Sequence, residues 1–469
     1  MKKILIGTSI IASMLLIGCG GSGGSSAGIV LPTTTTSDVS GQLVDSYLEN
    51  VDYRCGDSNI TNVTDANGTF RCAELPVGFY LGGLKLGELN ASTPDNQVFP
   101  QDLVGVARDN VSDAAVVALA RLMQSCDDDN NPSNGIKVRQ ELKEQLRDMN
   151  GSFDSDALDE YIAAINESGD LNITLVDVND TLEHLTQTTE FVDAVNSVTR
   201  IPRNVKEALL TPLSTLTQEA KDTLSYMANE ERLAYDTYNK MFETFPTQKT
   251  FDNIATRSEF THISIVQLLA KKYITSPDEF SNIDLPVLGF DSNISDIEAG
   301  KYDISGIQNL YDALVAKGTA SEQDALEVGC MVEVTDINDL LEKIENAKDS
   351  NASDVVTAFE FLRDGSYSHY WAFDRALKNM GVAEGCCVLG TVDGVNYCHD
   401  DYPQGNGDDG SEGQNGDGSC DDGNGTPGSG NGNGTPGSGD GNGNGNGNGN
   451  GNGNGNGTPG SGNGNRPTL

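Results

Sequence analysis

Histidine is scarce in this chain, with four residues in 469, and tryptophan occurs once. So few imidazoles leave ligands for little more than one metal site, so the position of each is informative. Basic residues are also few: 29 Lys and Arg stand against 70 Asp and Glu, for a net charge of −41. Each contact to a phosphate needs a local cation, so this balance excludes an electrostatic nucleic-acid binder. No Cys-x-x-Cys pair and no His-x-x-x-His pair occurs. The neighbours Cys398 and His399 therefore lack the partners that would complete a zinc site. Beyond Asp400 the chain is almost entirely Gly, Asn, Asp, Ser and Pro, with no aromatic residue after Tyr402. Such a segment cannot bury a core and is read as a disordered tail over 391–469. Its Gly-Asn alternation lacks the regular Asp and apolar positions of a calcium-binding repeat.

What is present begins with an address. Lys2 and Lys3 precede an apolar run, Ile4 to Ile17, too short to span a bilayer, which reads as a secretory signal over 1–18. The sequence Leu16-Ile17-Gly18-Cys19 resembles the lipobox of bacterial lipoproteins, which makes Cys19 the expected lipidation site. Acyl chains there would hold the protein on a membrane, each buried methylene contributing about 0.8 kcal/mol. Gly20 resembles the outer-membrane sorting pattern, so the expected location is the cell envelope, periplasmic or surface-facing. Residues 19–37, rich in Gly, Ser and Thr, read as a flexible tether. An exported chain meets oxidising conditions, and Cys55 and Cys72, which flank a turn-rich segment, are the candidate disulfide pair. Cys386, Cys387 and Cys398 cluster after the last helix and are read as disulfides or free thiols.

From 38 to 100, short apolar alternations broken by Gly, Asn and Asp predict a small β-sandwich-like module. The stretch Thr64-Asp65-Ala66-Asn67-Gly68-Thr69-Phe70 resembles the carboxypeptidase-regulatory-like repeats of exported bacterial proteins. From 101 to 205 the pattern turns helical and acidic. Asp127-Asp128-Asp129-Asn130-Asn131 invites comparison with an EF-hand loop, but Pro132 and Val138 stand where that loop needs Gly and Glu. It is read as a solvated acidic turn. His184 has no ligating partner at helical spacing and is read as structural.

The segment 206–390 carries the chemistry. Its periodicity predicts four long helices near 215–244, 251–272, 321–346 and 352–380, with a shorter one near 306–317. Polar residues interrupt their apolar stripes: Glu231 on the first, with Glu230 at its edge, and Glu259 with His262 on the second. The third contributes Glu333 and Asp336, and the fourth His369. The i,i+3 spacing of Glu259-Phe-Thr-His262 and Glu333-Val-Thr-Asp336 places each pair on one helix face. Several carboxylates in one apolar bundle repel one another unless neutralised, and two divalent ions would supply the missing charge. Mixed carboxylate and imidazole ligands suit iron or manganese, with zinc also possible.

Four stretches carry a family resemblance: Met227 to Tyr238, Phe251 to His262, Ala325 to Ile337 and Gly365 to Phe373. Together they resemble the ferritin-like di-iron carboxylate superfamily, and most of all a bacterial branch of uncharacterised function within it. The resemblance implies a ferritin-like four-helix bundle in a multidomain chain. It implies Glu259 and Glu333 as bridging ligands, Glu231 and Asp336 as terminal carboxylates, and His262 and His369 as one imidazole per metal. Tyr238 matches a tyrosine often found near such metals, where it relays an electron or hydrogen-bonds a carboxylate. The superfamily usually carries a second Glu-x-x-His on its fourth helix, whereas here Ser366 precedes His369 by three residues. The expected activity is an oxygen- or peroxide-reactive oxidoreductase, or iron handling, served by an external electron donor because no rubredoxin-like cysteine pair accompanies the bundle. The alternative is a metal-binding or cell-surface interaction protein without turnover.

Overall fold

A computed structural model describes residues 39–274, except 59 and 168, and residues 297–404. The expected signal, the tether with Cys19, and the tail from 405 onward with Cys420 lie outside the described residues, whereas residues 391–404, expected to belong to a disordered tail, are ordered and bury Tyr397 and Tyr402. The chain has a β-rich N-terminal region and a helical C-terminal region. Among the described residues no helix is long and apolar enough to cross a membrane.

The N-terminal strands are β1 (Val39–Leu43), β2 (Leu48–Glu49), β3 (Asp52–Cys55), β4 (Asn62–Val63), β5 (Thr69–Cys72), β6 (Val77–Leu81), β7 (Leu84–Leu89) and β8 (Gln97–Val98). One sheet has the order β5-β1-β8, with β1 antiparallel to β5 and parallel to β8. The turn into β5 needs Gly68, which sits at φ +67, and a Cβ there would lie 2.4 Å from the Leu43 carbonyl oxygen. Cys55 and Cys72 form a disulfide.

The segment after β8 was expected to be helical, and helices α1 (Pro100–Val104), α2 (Ala114–Ser125), α3 (Gln140–Gln145), α4 (Leu158–Asn166) and α5 (Val178–Ser197) do fill most of it. It also returns two strands to the N-terminal sheets. Strand β9 (Ile136–Lys137) pairs in parallel with β2, and β10 (Gly151–Ser152) with β7. These two-residue strands are too short for alternation to reveal them. The acidic turn is likewise not solvated throughout. Asp127 is buried, its carboxylate accepting the backbone N–H groups of Asn131 and Lys137.

The helical region continues with α6 (Arg203–Leu209), α7 (Gln218–Thr244), α8 (Lys249–Asn253), α9 (Phe260–Tyr273), α10 (Ser305–Gly318), α11 (Glu322–Asp349) and α12 (Ser353–Asn379). The Thr217 and Ser321 side chains accept backbone N–H groups from Ala220 and Asp324, capping α7 and α11 at their free N-terminal donors. Asn351, at φ +52, makes the tight turn that lays α12 back along α11. Helix α7 packs on α9 and α11, and α12 packs on α11 and α9, closing a ring of contacts. The expected second helix is present from Lys249 to Tyr273, but it contains a π-helical turn, Ile254–Glu259, between α8 and α9. Such wide turns are rare and are frequent at functional sites.

Two apolar clusters run through this ring. One joins Leu224, Met227, Ile263, Val266, Leu340 and Leu362 to residues of the N-terminal region such as Val44 and Phe99. The other gathers Tyr238, Phe251, Val334, Ile337, Tyr370 and Phe373 with the segment after α12. Disulfides Cys330–Cys386 and Cys387–Cys398 fasten that segment, a short helical turn (Gly385–Leu389) and the hairpin β11 (Thr391–Val392) and β12 (Val395–Asn396). His399 stacks on Tyr402 with ring centroids 4.2 Å apart, and its Nε2 lies 2.7 Å from the Asn396 carbonyl oxygen.

Two expectations concern stability. Replacing Cys330 and Cys386 by serine opens a loop spanning 56 residues and should cost about 4 kcal/mol on the chain-entropy relation, read as a lower urea midpoint. Asp45 is fully buried against Gln124, and burial pushes its carboxyl from 3.8 up to about 7. The folded chain therefore holds this proton more tightly than the unfolded chain, so stability falls as pH rises from about 4 toward 7. Asp45→Asn should flatten that decline, checked by urea midpoints at pH 5 and pH 8.

Candidate metal centre

The polar residues picked out on the helix stripes meet in a layer between the two apolar clusters. Glu231 comes from α7, Glu259 from the end of the π turn, His262 from α9, Glu333 from α11 and His369 from α12. None is more than 2% exposed. They form two trios, Glu231–Glu259–His262 and Glu259–Glu333–His369, in each of which one ligand atom per residue lies within 4.8 Å of the others.

Glu259 belongs to both trios, through different oxygens. Its Oε2 is 3.2 Å from His262 Nδ1, and its Oε1 is 3.0 Å from His369 Nδ1. His262 Nδ1 also lies 3.2 Å from Glu231 Oε2, and His369 Nδ1 lies 3.3 Å from Glu333 Oε2. Each Nδ1 thus faces two carboxylates but can offer a proton to only one. The Tyr238 hydroxyl donates to Glu333 Oε1. Glu231 Oε1 is buried and has no hydrogen-bond partner among the described residues.

The electrostatics follow from burial. Loss of water is the largest influence on Glu231 and Glu333, lifting each carboxyl to about 7 against the pull of His262 and His369 respectively. Burial also favours the neutral form of Glu259, yet His369 and His262 outweigh it and hold this carboxyl below its usual range. Burial disfavours a charged His262, but Glu231 and then Glu259 raise its imidazole to about 10. Without metal, protons do the neutralising. The donor set fits a cation better: two trios of oxygen and Nδ1 atoms converge, one carboxylate joins them, and an oxygen stands unpartnered. Nitrogen and oxygen ligands on zinc lie about 2.0–2.2 Å from the ion, which would place neighbouring ligand atoms within the observed spread.

Asp336 behaves differently from the terminal ligand the resemblance implied. Its carboxylate belongs to neither trio and accepts the Ser366 hydroxyl at 2.6 Å. Burial, then the charge of Glu231, drives its carboxyl well above the usual range. Ser366, which stands where the resemblance implied a carboxylate, thus anchors the residue expected to replace it. Glu230 is likewise pushed far upward, by burial and then by Asp339. Helical spacing gave no sign of Ser258 and Gly365, which flank the His262 ring. The one available signal was a glycine inside a long helical pattern, which can mark close backbone approach. His184 stands apart from the centre, with Nε2 3.3 Å from the Asp45 carbonyl oxygen.

Known proteins share this region. Residues 220–390 match the family described as an uncharacterized protein domain (DUF2202). Over 170 residues the chain is 36% identical to the uncharacterized protein MJ0754 of Methanocaldococcus jannaschii, covering 36% of this chain and 81% of the relative. The crystal structure of the hypothetical protein MJ0754, from Methanococcus jannaschii, is similar at 34% identity with a TM-score of 0.31, over 36% of this chain and 86% of that one. All five residues of the two trios fall inside the matched region.

The metal-free cluster should respond unequally to neutral replacements. Glu259→Gln removes the anion facing both imidazoles and should destabilise the chain by about 3–5 kcal/mol. Glu231→Gln removes a carboxylate that burial already disfavours and should cost much less. Denaturant unfolding in chelator at pH 7 checks the contrast.

Proposed function

Given that the chain belongs, through residues 220–390, to the family of the uncharacterized DUF2202 domain, we propose that this region is a ferritin-like four-helix bundle holding two divalent metal ions, iron before manganese or zinc. The observation that carries the reading is the division of Glu259, whose two oxygens face the Nδ1 atoms of two different histidines. A carboxylate so placed would serve two cation positions at once. Glu231 and His262 would complete one position, Glu333 and His369 the other, while Asp336 stays on Ser366 beside them. The number of histidines suits one such centre.

Two redox-active ions held there would supply two-electron chemistry toward dioxygen or peroxide. The protein's own part is positional. Its apolar clusters exclude water above and below the polar layer. Tyr238, fully buried and kept protonated first by burial and then by the Glu333 charge, donates its hydrogen bond to Glu333 Oε1 and so orients that carboxylate. Reducing electrons would come from an external donor. We place the protein in the cell envelope, anchored at the outer membrane through Cys19, as an oxygen- or peroxide-reactive oxidoreductase or an iron-handling protein.

Complete burial of the five ligands favours one second reading, a metal-holding protein without turnover. The readings separate in one experiment. Ferrous iron added under argon should bind at two ions per chain, and air should bring up a near-ultraviolet band of ferric iron. Glu259→Ala should abolish both positions, whereas His369→Ala should lose one. Full metal uptake by Glu259→Ala would sink the dinuclear centre. Uptake without consumption of oxygen or peroxide, with any reductant, would leave the storage reading.

A further inference from the structure

The His262 ring is held on the side away from the carboxylates by two residues that are not ligands. Its Nδ1 faces Glu231 and Glu259, while Nε2 lies 3.5 Å from the Ser258 hydroxyl oxygen. Ser258 is buried in the π-helical turn, one residue before Glu259. Phe361 meets the ring edge-on, with centroids 5.9 Å apart. On the remaining side, the α12 backbone at Gly365 comes so near that a Cβ there would stand 2.6 Å from Nε2 and 2.8 Å from Cε1. The ring is buried and cannot swing into solvent. Glycine is a poor residue for the middle of a 27-residue helix. Room for the imidazole explains its presence.

The tautomer gives this contact a chemical meaning. A neutral imidazole carries one N–H, and only the nitrogen without it can ligate a cation. A proton on Nε2, donated to Ser258, leaves the Nδ1 lone pair aimed between Glu231 and Glu259. A proton on Nδ1 would remove that lone pair from the trio. Metal-binding histidines generally have their second nitrogen held by a hydrogen-bond acceptor of this kind.

We propose that Gly365 and Ser258 are positioning residues for the His262 side of the centre. Gly365 makes room for the ring, and Ser258 sets the tautomer that points its lone pair at the metal. This inference rests on the dinuclear reading, since without a metal the tautomer has no task.

The test uses the full chain and zinc or anaerobic ferrous iron as the probe. Gly365→Ala should reduce metal content from two ions per chain to one, the Glu259–Glu333–His369 position surviving. Ser258→Ala should weaken the first position about 10- to 100-fold, and Ser258→Thr, which keeps the hydroxyl, should restore it. A second readout needs no metal. In chelator, Gly365→Ala should lower the melting temperature of the parent but not of a His262→Ala background, where the added methyl meets no ring. A parent that binds two ions while Gly365→Ala and Ser258→Ala bind two with unchanged affinity overturns the positioning role and leaves the centre intact. Equal melting shifts in both backgrounds overturn the contact between Gly365 and His262. A parent that binds no metal sinks the dinuclear reading itself, and the positioning role with it.

Discussion

Five ionisable side chains buried between two apolar clusters are the constraint around which the helical region is arranged. Carboxylates removed from water cannot remain mutually unscreened, so each must be protonated, paired or bound to a cation. Glu259 answers this by facing two imidazoles, and Glu231 and Glu333 by titrating near neutrality. Protons occupy the atoms that divalent cations would need, so metal binding at this layer would be coupled to proton release.

The helices accommodate that layer at some local expense. The second helix widens into a π turn just where Glu259 and Ser258 are needed, and α12 accepts Gly365 in its interior. Helix α11 carries Glu333 one turn beyond Cys330, which is bonded to Cys386 in the segment that follows α12. Tyr370, next to His369 in sequence, donates to the Tyr397 carbonyl oxygen and accepts the His399 N–H. The two helices that bear Glu333 and His369 are thus fastened by one buried disulfide and by a buried aromatic cluster.

The N-terminal region is joined to this assembly through its core. Val44, Tyr47 and Phe99 share one apolar cluster with helices α5, α7, α9 and α12. Asp45, in the turn after β1, is buried beside that junction with Gln124 of α2 and His184 of α5. The division at 205 drawn from composition falls inside a continuous apolar cluster, because composition registers which residues are apolar and not which ones touch.

The sequence by itself determined the helices and their inward faces. A stripe at three- and four-residue steps is a local property of a backbone with 3.6 residues per turn, so Glu231, Glu259, His262, Glu333 and His369 could be placed on core faces from spacing alone. The paired cysteines at 55 and 72 stood out for the same local reason, their position around one turn. Tertiary structure alone decided which inward residues meet. The sharing of Glu259 by two histidines, the withdrawal of Asp336 onto Ser366, the bond from Cys330 to Cys386, the burial of Asp127 and the approach of Gly365 to His262 all depend on contacts between separate elements. Spacing along a helix gives an angle about its own axis. It carries no information on the rotation and height of the neighbouring helix, and those two quantities select the partner.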